Sequence, residues 1–186
     1  PDTVPVLLCA AICAMISAID ITAPSISLEG KSIWLAQSLP VNAWQVLKAK
    51  LKVQILLSGV PALFCTLCGV FTLKMTLAES LITITIIAIY TLLAAVFGLV
   101  LGLKMPNLTW TNEITPIKQG GSVMFAMFGG WAYSAVIALP FFFFAYPLGA
   151  AAYLGCIAAL SLIISVILFV WCKKKGAEIF SKLSCN

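Results

Sequence analysis

Five runs of apolar residues, each long enough to cross a lipid bilayer, constrain the fold of this chain more than any other feature. They lie near residues 4–22, 53–73, 81–103, 123–143 and 148–171. About 20 helical residues cross the hydrocarbon core, and backbone groups in lipid must be satisfied internally, which favours helices for runs of this length. Because 62% of the 186 residues are hydrophobic and only 9% are charged, the sequence predicts an all-α, polytopic integral membrane protein with a single transmembrane domain.

The lysines predict how this domain is oriented. All of them except Lys74 fall in two predicted loops, residues 23–52 and 104–122, or in the predicted tail, residues 172–186. The positive-inside rule places these segments in the cytoplasm and the N-terminus outside, in a multi-pass protein of the plasma membrane. The net charge of +5 follows from this bias, so it gives no reason to expect a nucleic-acid partner.

Several classes of activity find no support in the sequence. Asp20 and Glu79 lie near predicted span ends and no ionisable residue falls near a span centre, whereas ion-coupled carriers place ionisable groups within the membrane. The phosphate-binding pattern GxxxxGK[ST] is absent. Histidine is also absent, which excludes Ser/His and Cys/His catalytic pairs. We therefore predict no catalytic residue and no cofactor in this chain, and energy for any uphill transport would come from another polypeptide.

Small residues within the apolar runs are predicted to serve helix packing. Cys65 and Cys68 have the spacing of a redox or metal motif, but they lie inside a span and no histidine could complete a mixed zinc site. We predict no metal site. Gly98 and Gly102 have the small-xxx-small spacing that lets two membrane helices approach closely, whether within one chain or between protomers.

The first predicted loop contains an unusual polar segment between two hydrophobic spans. Between Pro24 and Pro40, apolar and polar side chains separate onto opposite faces of a helix over residues 27–41. Such a helix could lie on the membrane surface or against a partner protein. After Pro40 a second helix is predicted to begin, with Asn42 as its N-cap and Gln45 completing a capping box.

Two loop sequences resemble a known family. The stretch EGKSIWLAQSLPVNAWQVLKAKL, residues 29–51, resembles the cytoplasmic segment of permease subunits from bacterial type 2 ABC exporters. The stretch MPNLTWTNEITPIKQGGS, residues 105–122, is similar to a second cytoplasmic loop in a Firmicutes-like branch of those permeases. The resemblance implies the C-terminal part of a longer permease, because such permeases carry several more spans. It also implies a separate ATP-binding subunit and a second permease protomer or half as partners, besides membrane lipid.

The resemblance also assigns residues to two cytoplasmic elements. The coupling segment, which would dock on the ATP-binding subunit, comprises Glu29, Gly30, Lys31, Leu39 and Pro40. Trp34, on the apolar face of the predicted helix, is a further candidate for contact with this partner. The second element comprises Trp110, Asn112, Glu113, Pro116 and Lys118. Two alternatives stay open at this point: a non-transporting membrane anchor or accessory subunit, and an ion-coupled carrier whose charged residue lies in a span outside this sequence.

Overall fold

The computed structural model describes residues 3–38, 40–108, 110, 114, 117, 120–141, 143 and 149–183, with all their side chains except those of Lys31 and Ala36. In this part of the chain the protein is helical and contains no β-strand. Five of its helical segments are long and apolar enough to cross a membrane. The predicted all-α, polytopic membrane fold is therefore confirmed.

The α-helices of the described residues are numbered here in chain order. They are α1 (Val4–Ala18), α2 (Thr22–Glu29), α3 (Ile33–Ser38), α4 (Ala43–Thr72), α5 (Leu77–Lys104), α6 (Gly121–Pro140), α7 (Ala150–Trp171) and α8 (Ala177–Lys182). A 3-10 turn, Gly30–Ser32, joins α2 to α3, and a π-helical turn, Cys172–Gly176, joins α7 to α8. We call the side of the bundle that carries Lys50, Lys104 and Lys173 the lysine-rich end.

Helices occupy much of the sequence outside the predicted spans, both in the first loop, where two helices were predicted, and in the tail. The helix α4 has 30 residues and begins well before the predicted span at residue 53. Its length of about 45 Å exceeds the hydrocarbon thickness of about 30 Å, so it extends beyond the membrane at the lysine-rich end. The helix α8 occupies part of the predicted tail and packs back on the bundle through Phe180, which is 1% exposed.

The first membrane segment is broken between α1 and α2. The carboxylate of Asp20 accepts hydrogen bonds from the backbone N–H groups of Thr22 and Ala23, which begin α2. Across the break, the buried amide of Gln54 donates to the carbonyl of Ile19 at 2.9 Å and accepts from the N–H of Ile21 at 2.8 Å. These two side chains satisfy the backbone groups that the break would otherwise leave without partners.

The helix α5 lies at the centre of the bundle and contributes to both of its apolar cores. Near the end of the bundle opposite the lysine-rich end, which we call the far end, it packs against α1, α6 and α7, with Ile87 among the buried residues. Near the lysine-rich end it packs against α2, α4 and the turn before α8, with Leu99 and Leu103 buried. The outward faces of α4 and α7 instead expose large apolar side chains such as Phe64 and Ile167, as expected for surfaces in contact with lipid.

Gly98 and Gly102 lie where α5 faces the start of α2. A Cβ atom on residue 102 would stand 2.7 Å from the carbonyl oxygen of Ala23, and one on residue 98 would overlap the side chains of Asp20 and Thr22. The close approach of α2 and α5 therefore requires glycine at both positions. It also places Asp20 against α5 at Gly98. Lys104 lies six residues further along α5, which corresponds to about 9 Å along the axis of that helix.

Candidate functional site

The segment predicted as one amphipathic helix over residues 27–41 is divided into two parts. The helix α2 ends at Glu29, and Gly30 adopts φ 45°, a left-handed conformation that glycine accommodates most easily. After the 3-10 turn the chain continues as α3. Pro24, predicted to precede the helix, instead lies in the first turn of α2, where its missing N–H removes no helical hydrogen bond.

Glu29 forms an ion pair that connects the predicted coupling segment to α4. The ammonium of Lys50 lies 2.6 Å from Oε1 of Glu29 and also donates to the carbonyl of Ser25 at 3.1 Å. The side chains of Lys50 and Glu29 are only 16% and 22% exposed. The other carboxylate oxygen of Glu29, Oε2, is buried and accepts no hydrogen bond from the described residues.

The structure brings the two predicted cytoplasmic elements into contact. The indole N–H of Trp110 donates to the carbonyl of Ser27 at 2.5 Å, and the backbone N–H of Asn107 donates to the Ser27 hydroxyl at 3.0 Å. A Cβ atom on residue 30 would lie 2.9 Å from the Trp110 ring. Gly30 is therefore required both by its backbone conformation and by the aromatic ring against it.

The short helix α3 has a buried face and an exposed face. Ile33 is 2% exposed and belongs to the apolar core at the lysine-rich end, whereas Trp34 and Leu35 are 65% and 55% exposed. Gln37 donates two hydrogen bonds of 2.8 Å, to the carbonyls of Phe180 and Leu183. The C-terminal part of the chain thus holds α3 on the side of the helix that carries Ile33 and Gln37, which are four residues apart.

We call this assembly the loop platform; it consists of the turn at Gly30, α3, Trp110 and α8. Pro40 follows it and is exposed. The predicted capping box is confirmed, since the N–H of Asn42 donates to Oε1 of Gln45 at 3.2 Å at the start of α4. Several predicted site residues lie outside the described residues, namely Leu39, Asn112, Glu113, Pro116, Lys118 and the side chain of Lys31.

A second site, which the sequence analysis did not identify, is a cavity between α1, α5, α6 and α7. Its volume is about 330 Å³, and its polar side chains are Ser17, Asp20, Tyr90 and Tyr133. The tyrosine rings stack with centroids 4.5 Å apart and an angle of 19° between their planes. One sequence feature does indicate the break beside this cavity: Asp20 is followed by Thr22 and Pro24, a pattern typical of a helix start inside an apolar run.

None of the four cysteines on α1 and α4 lines the cavity. Cys9 and Cys13 are buried in the apolar core near the far end, while Cys65 and Cys68 are exposed on the outer face of α4. Within the described part of the chain, no group of three or more His, Cys, Asp or Glu residues is placed to hold a metal ion.

No protein-family model, no curated protein and no solved structure matches this chain.

Proposed function

We propose that this chain is a membrane-spanning component of an ATP-driven ABC-type exporter and that it docks on a separate ATP-binding subunit through the loop platform. In this proposal the chain itself is not an enzyme, needs no cofactor and lies in the plasma membrane with its C-terminus in the cytoplasm. A second permease protomer or half would complete the transport path. The proposal combines the resemblance of the two loop sequences with the arrangement of α3.

The arrangement of α3 is the observation that carries the proposal. A docking helix must offer side chains to a partner on one face and be held by the membrane helices on the other. Trp34 and Leu35 meet the first requirement by their exposure. Ile33, in the apolar core, and Gln37, bonded to the C-terminal segment, meet the second. Exposed aromatic residues of this kind are enriched at the energetic centres of protein interfaces.

The contacts of the loop platform also provide a path for movement into the membrane. A displacement of α3 acts on α2 through the turn at Gly30, and α2 lies directly against α5 at Gly102. The ion pair of Glu29 with Lys50 links the same point to α4. Three membrane segments would therefore respond to one docking event, as expected of an ATP-driven permease that alternates between inward and outward states.

A non-transporting membrane anchor is the second candidate, and one observation favours it. Trp34 and Leu35 have the amphipathic character of residues that lie among lipid headgroups, so their exposure also fits a helix that only rests on the membrane surface. The two candidates differ in what contacts position 34 in the native membrane: a nucleotide-binding protein or lipid alone.

Site-specific photocrosslinking distinguishes them. We would replace Trp34 with a photoreactive amino acid, irradiate membranes of the native host and identify the adducts by mass spectrometry. The matched control carries the same photoreactive residue in place of Phe71. This residue is 79% exposed and lies at the C-terminal end of α4, away from the lysine-rich end. The proposal expects an ATP-binding subunit crosslinked to position 34 but not to position 71. Lipid adducts alone at both positions, with the parent protein intact and abundant, would exclude the docking role and favour the anchor.

A further inference from the structure

The cavity between α1, α5, α6 and α7 combines an apolar wall with an acidic group. Apart from its polar side chains, it is lined by residues that include Leu93, Phe97, Ile164 and Leu168. Its volume of about 330 Å³ falls at the lower end of the range of small-molecule sites. Ile164 lines the cavity and is also 48% exposed, so the cavity lies close to the outer surface of α7.

The carboxylate of Asp20 has one oxygen engaged and one oxygen free of hydrogen bonds from the described residues. Oδ1 accepts from the N–H of Thr22 at 2.9 Å and from the N–H of Ala23 at 3.4 Å. The single hydroxyl hydrogen of Thr22 is shared between Oδ1, at 2.7 Å, and the carbonyl oxygen of Ala95, at 3.0 Å. The ion pairs of the described residues are formed by Glu29 and Glu178, so none of them neutralises Asp20. Asp20 lies within the apolar segment Val4–Glu29, and acidic residues inside membrane segments generally mark functional sites.

The hydroxyl groups around the cavity are oriented as acceptors. Ser17 donates its only hydroxyl hydrogen to the carbonyl of Cys13, so Tyr90 must be the donor in the hydrogen bond between Tyr90 and Ser17. In the same way Ser161 donates to the carbonyl of Ile157, so Tyr133 donates to Ser161. Both tyrosine hydrogens are therefore used, and the polar side chains that line the cavity retain acceptor capacity and negative charge but no free donor.

From this chemistry we propose that the cavity binds a lipophilic monocation, a molecule with one ammonium-type or phosphonium-type head and an aromatic or hydrocarbon body. The positive head would lie beside Oδ2 of Asp20 and the tyrosine rings, whose π-electrons also attract cations. The body would pack against the apolar wall that includes Leu93 and Phe97. An anion is disfavoured because the polar side chains offer it repulsion and no donor. Binding does not depend on the proposed permease function; if that function holds, such cations become candidate substrates.

A pair of isosteric probes tests the proposal on the full chain in micelles of the uncharged detergent dodecyl maltoside. One probe is benzyltrimethylammonium with a diazirine on its ring, and the other is its neutral analogue with a tert-butyl group in place of the trimethylammonium. The proposal expects saturable labelling of peptides from α5 and α6 by the cation, competed by unlabelled benzyltrimethylammonium but not by benzenesulfonate. Equal saturable labelling by the neutral probe, or equal competition by the sulfonate, would overturn it.

Variants locate the site. Asp20→Asn keeps the capping acceptor for α2, because Asn caps helices as well as Asp, but it removes the charge. We expect the affinity for the cation to fall about tenfold or more, as for the loss of one charged contact. Glu79→Gln is the matched control: it removes a carboxylate at a helix start that does not line the cavity, and affinity should stay unchanged. Unchanged affinity in Asp20→Asn would refute the proposal.

A third variant blocks the cavity without changing charge. Ala126 is 5% exposed and lines the cavity, so Ala126→Leu fills part of its volume. We expect this variant to lose saturable labelling while the folded fraction, measured by size-exclusion chromatography, is retained. The comparison of the two probes on the unaltered protein needs no variant, so the proposal stays testable even where a substitution impairs folding.

Discussion

Gln54 offers the sharpest test of how the broken first span is stabilised. It is 1% exposed, and its amide bonds simultaneously to the carbonyl of Ile19 and the N–H of Ile21. Gln54→Met keeps the length and approximate volume of the side chain but removes both hydrogen bonds. The substitution leaves two backbone groups without their side-chain partner in a region shielded from water.

The expected destabilisation follows from these two groups. A buried backbone donor or acceptor without a partner costs about 1–3 kcal/mol, so two of them cost about 2–6 kcal/mol. Measured hydrogen-bond contributions in membrane proteins lie at the low end, because the unfolded chain also finds partners in the membrane. We therefore expect Gln54→Met to lower the free energy of unfolding by about 2–3 kcal/mol.

The assay is equilibrium unfolding of the purified chain in mixed micelles by added dodecyl sulfate, followed by far-ultraviolet circular dichroism. Gln45→Met is the matched control, because Gln45 is an exposed glutamine on the same helix with a single backbone hydrogen bond. The free energy of unfolding of the control variant should fall by about 0.5–1 kcal/mol, as for the loss of a helix cap. Equal stability losses in the two variants, or a loss below about 0.5 kcal/mol in Gln54→Met, would refute the bridging role that we assign to Gln54.

Three further predictions concern packing, charge and orientation. Lys50→Met should destabilise the protein by about 2 kcal/mol, less than for a fully buried pair, and Glu29→Gln in the same chain should recover part of that loss in a double-mutant cycle. Gly102→Ala should cost about 1–3 kcal/mol in the same unfolding assay because α2 must move away from α5, whereas Gly155→Ala, whose Cβ atom would meet its nearest neighbour at 3.5 Å, should be close to neutral. A green fluorescent protein fused to the C-terminus should fluoresce and an alkaline phosphatase fused there should be inactive; the opposite result would reverse the predicted orientation.

The features that could be predicted from the sequence are those fixed by local chemistry. Hydrophobic runs of membrane length indicate membrane helices whatever surrounds them, so all five spans were identified. The capping box of Asn42 and Gln45 depends on residues three positions apart, and it too was correctly predicted. The glycine spacing of Gly98 and Gly102 indicated a close helix approach but not which helix would lie there.

The features that escaped prediction depend on residues far apart in the chain. Average hydropathy does not detect the break at Asp20, because the flanking residues on both sides are apolar. The bridging role of Gln54 joins positions more than thirty residues apart, and the acceptor character of the cavity depends on Ser17 and Tyr90 meeting across two helices. The loop resemblance placed Gly30 and Trp110 on the same side of the membrane, but their contact belongs to tertiary packing that neither loop specifies alone.

The position of α2 makes it the structural connection between the two sites. The N–H groups of its first turn donate to the Asp20 carboxylate at the cavity, and its last residues lie beneath Trp110 and the turn at Gly30. If the turn at Gly30 is rigid, α2 and α3 move together and docking at Trp34 changes the cavity. If the turn is a hinge, α3 can move while α2 stays in place, and the two sites are independent.

Hydrogen exchange of the backbone amides distinguishes these two cases in the variant Trp110→Phe. The substitution keeps an aromatic ring over Gly30 but removes the hydrogen bond to the carbonyl of Ser27. One such bond contributes about 0.5–1.5 kcal/mol, so exchange should accelerate about twofold to tenfold in whichever segment depends on it. We expect faster exchange in both α2 and α3, with α7 unchanged as the internal control. Acceleration confined to α2, where the lost bond was made, would identify Gly30 as a hinge and would remove α2 as the path from the loop platform to the cavity.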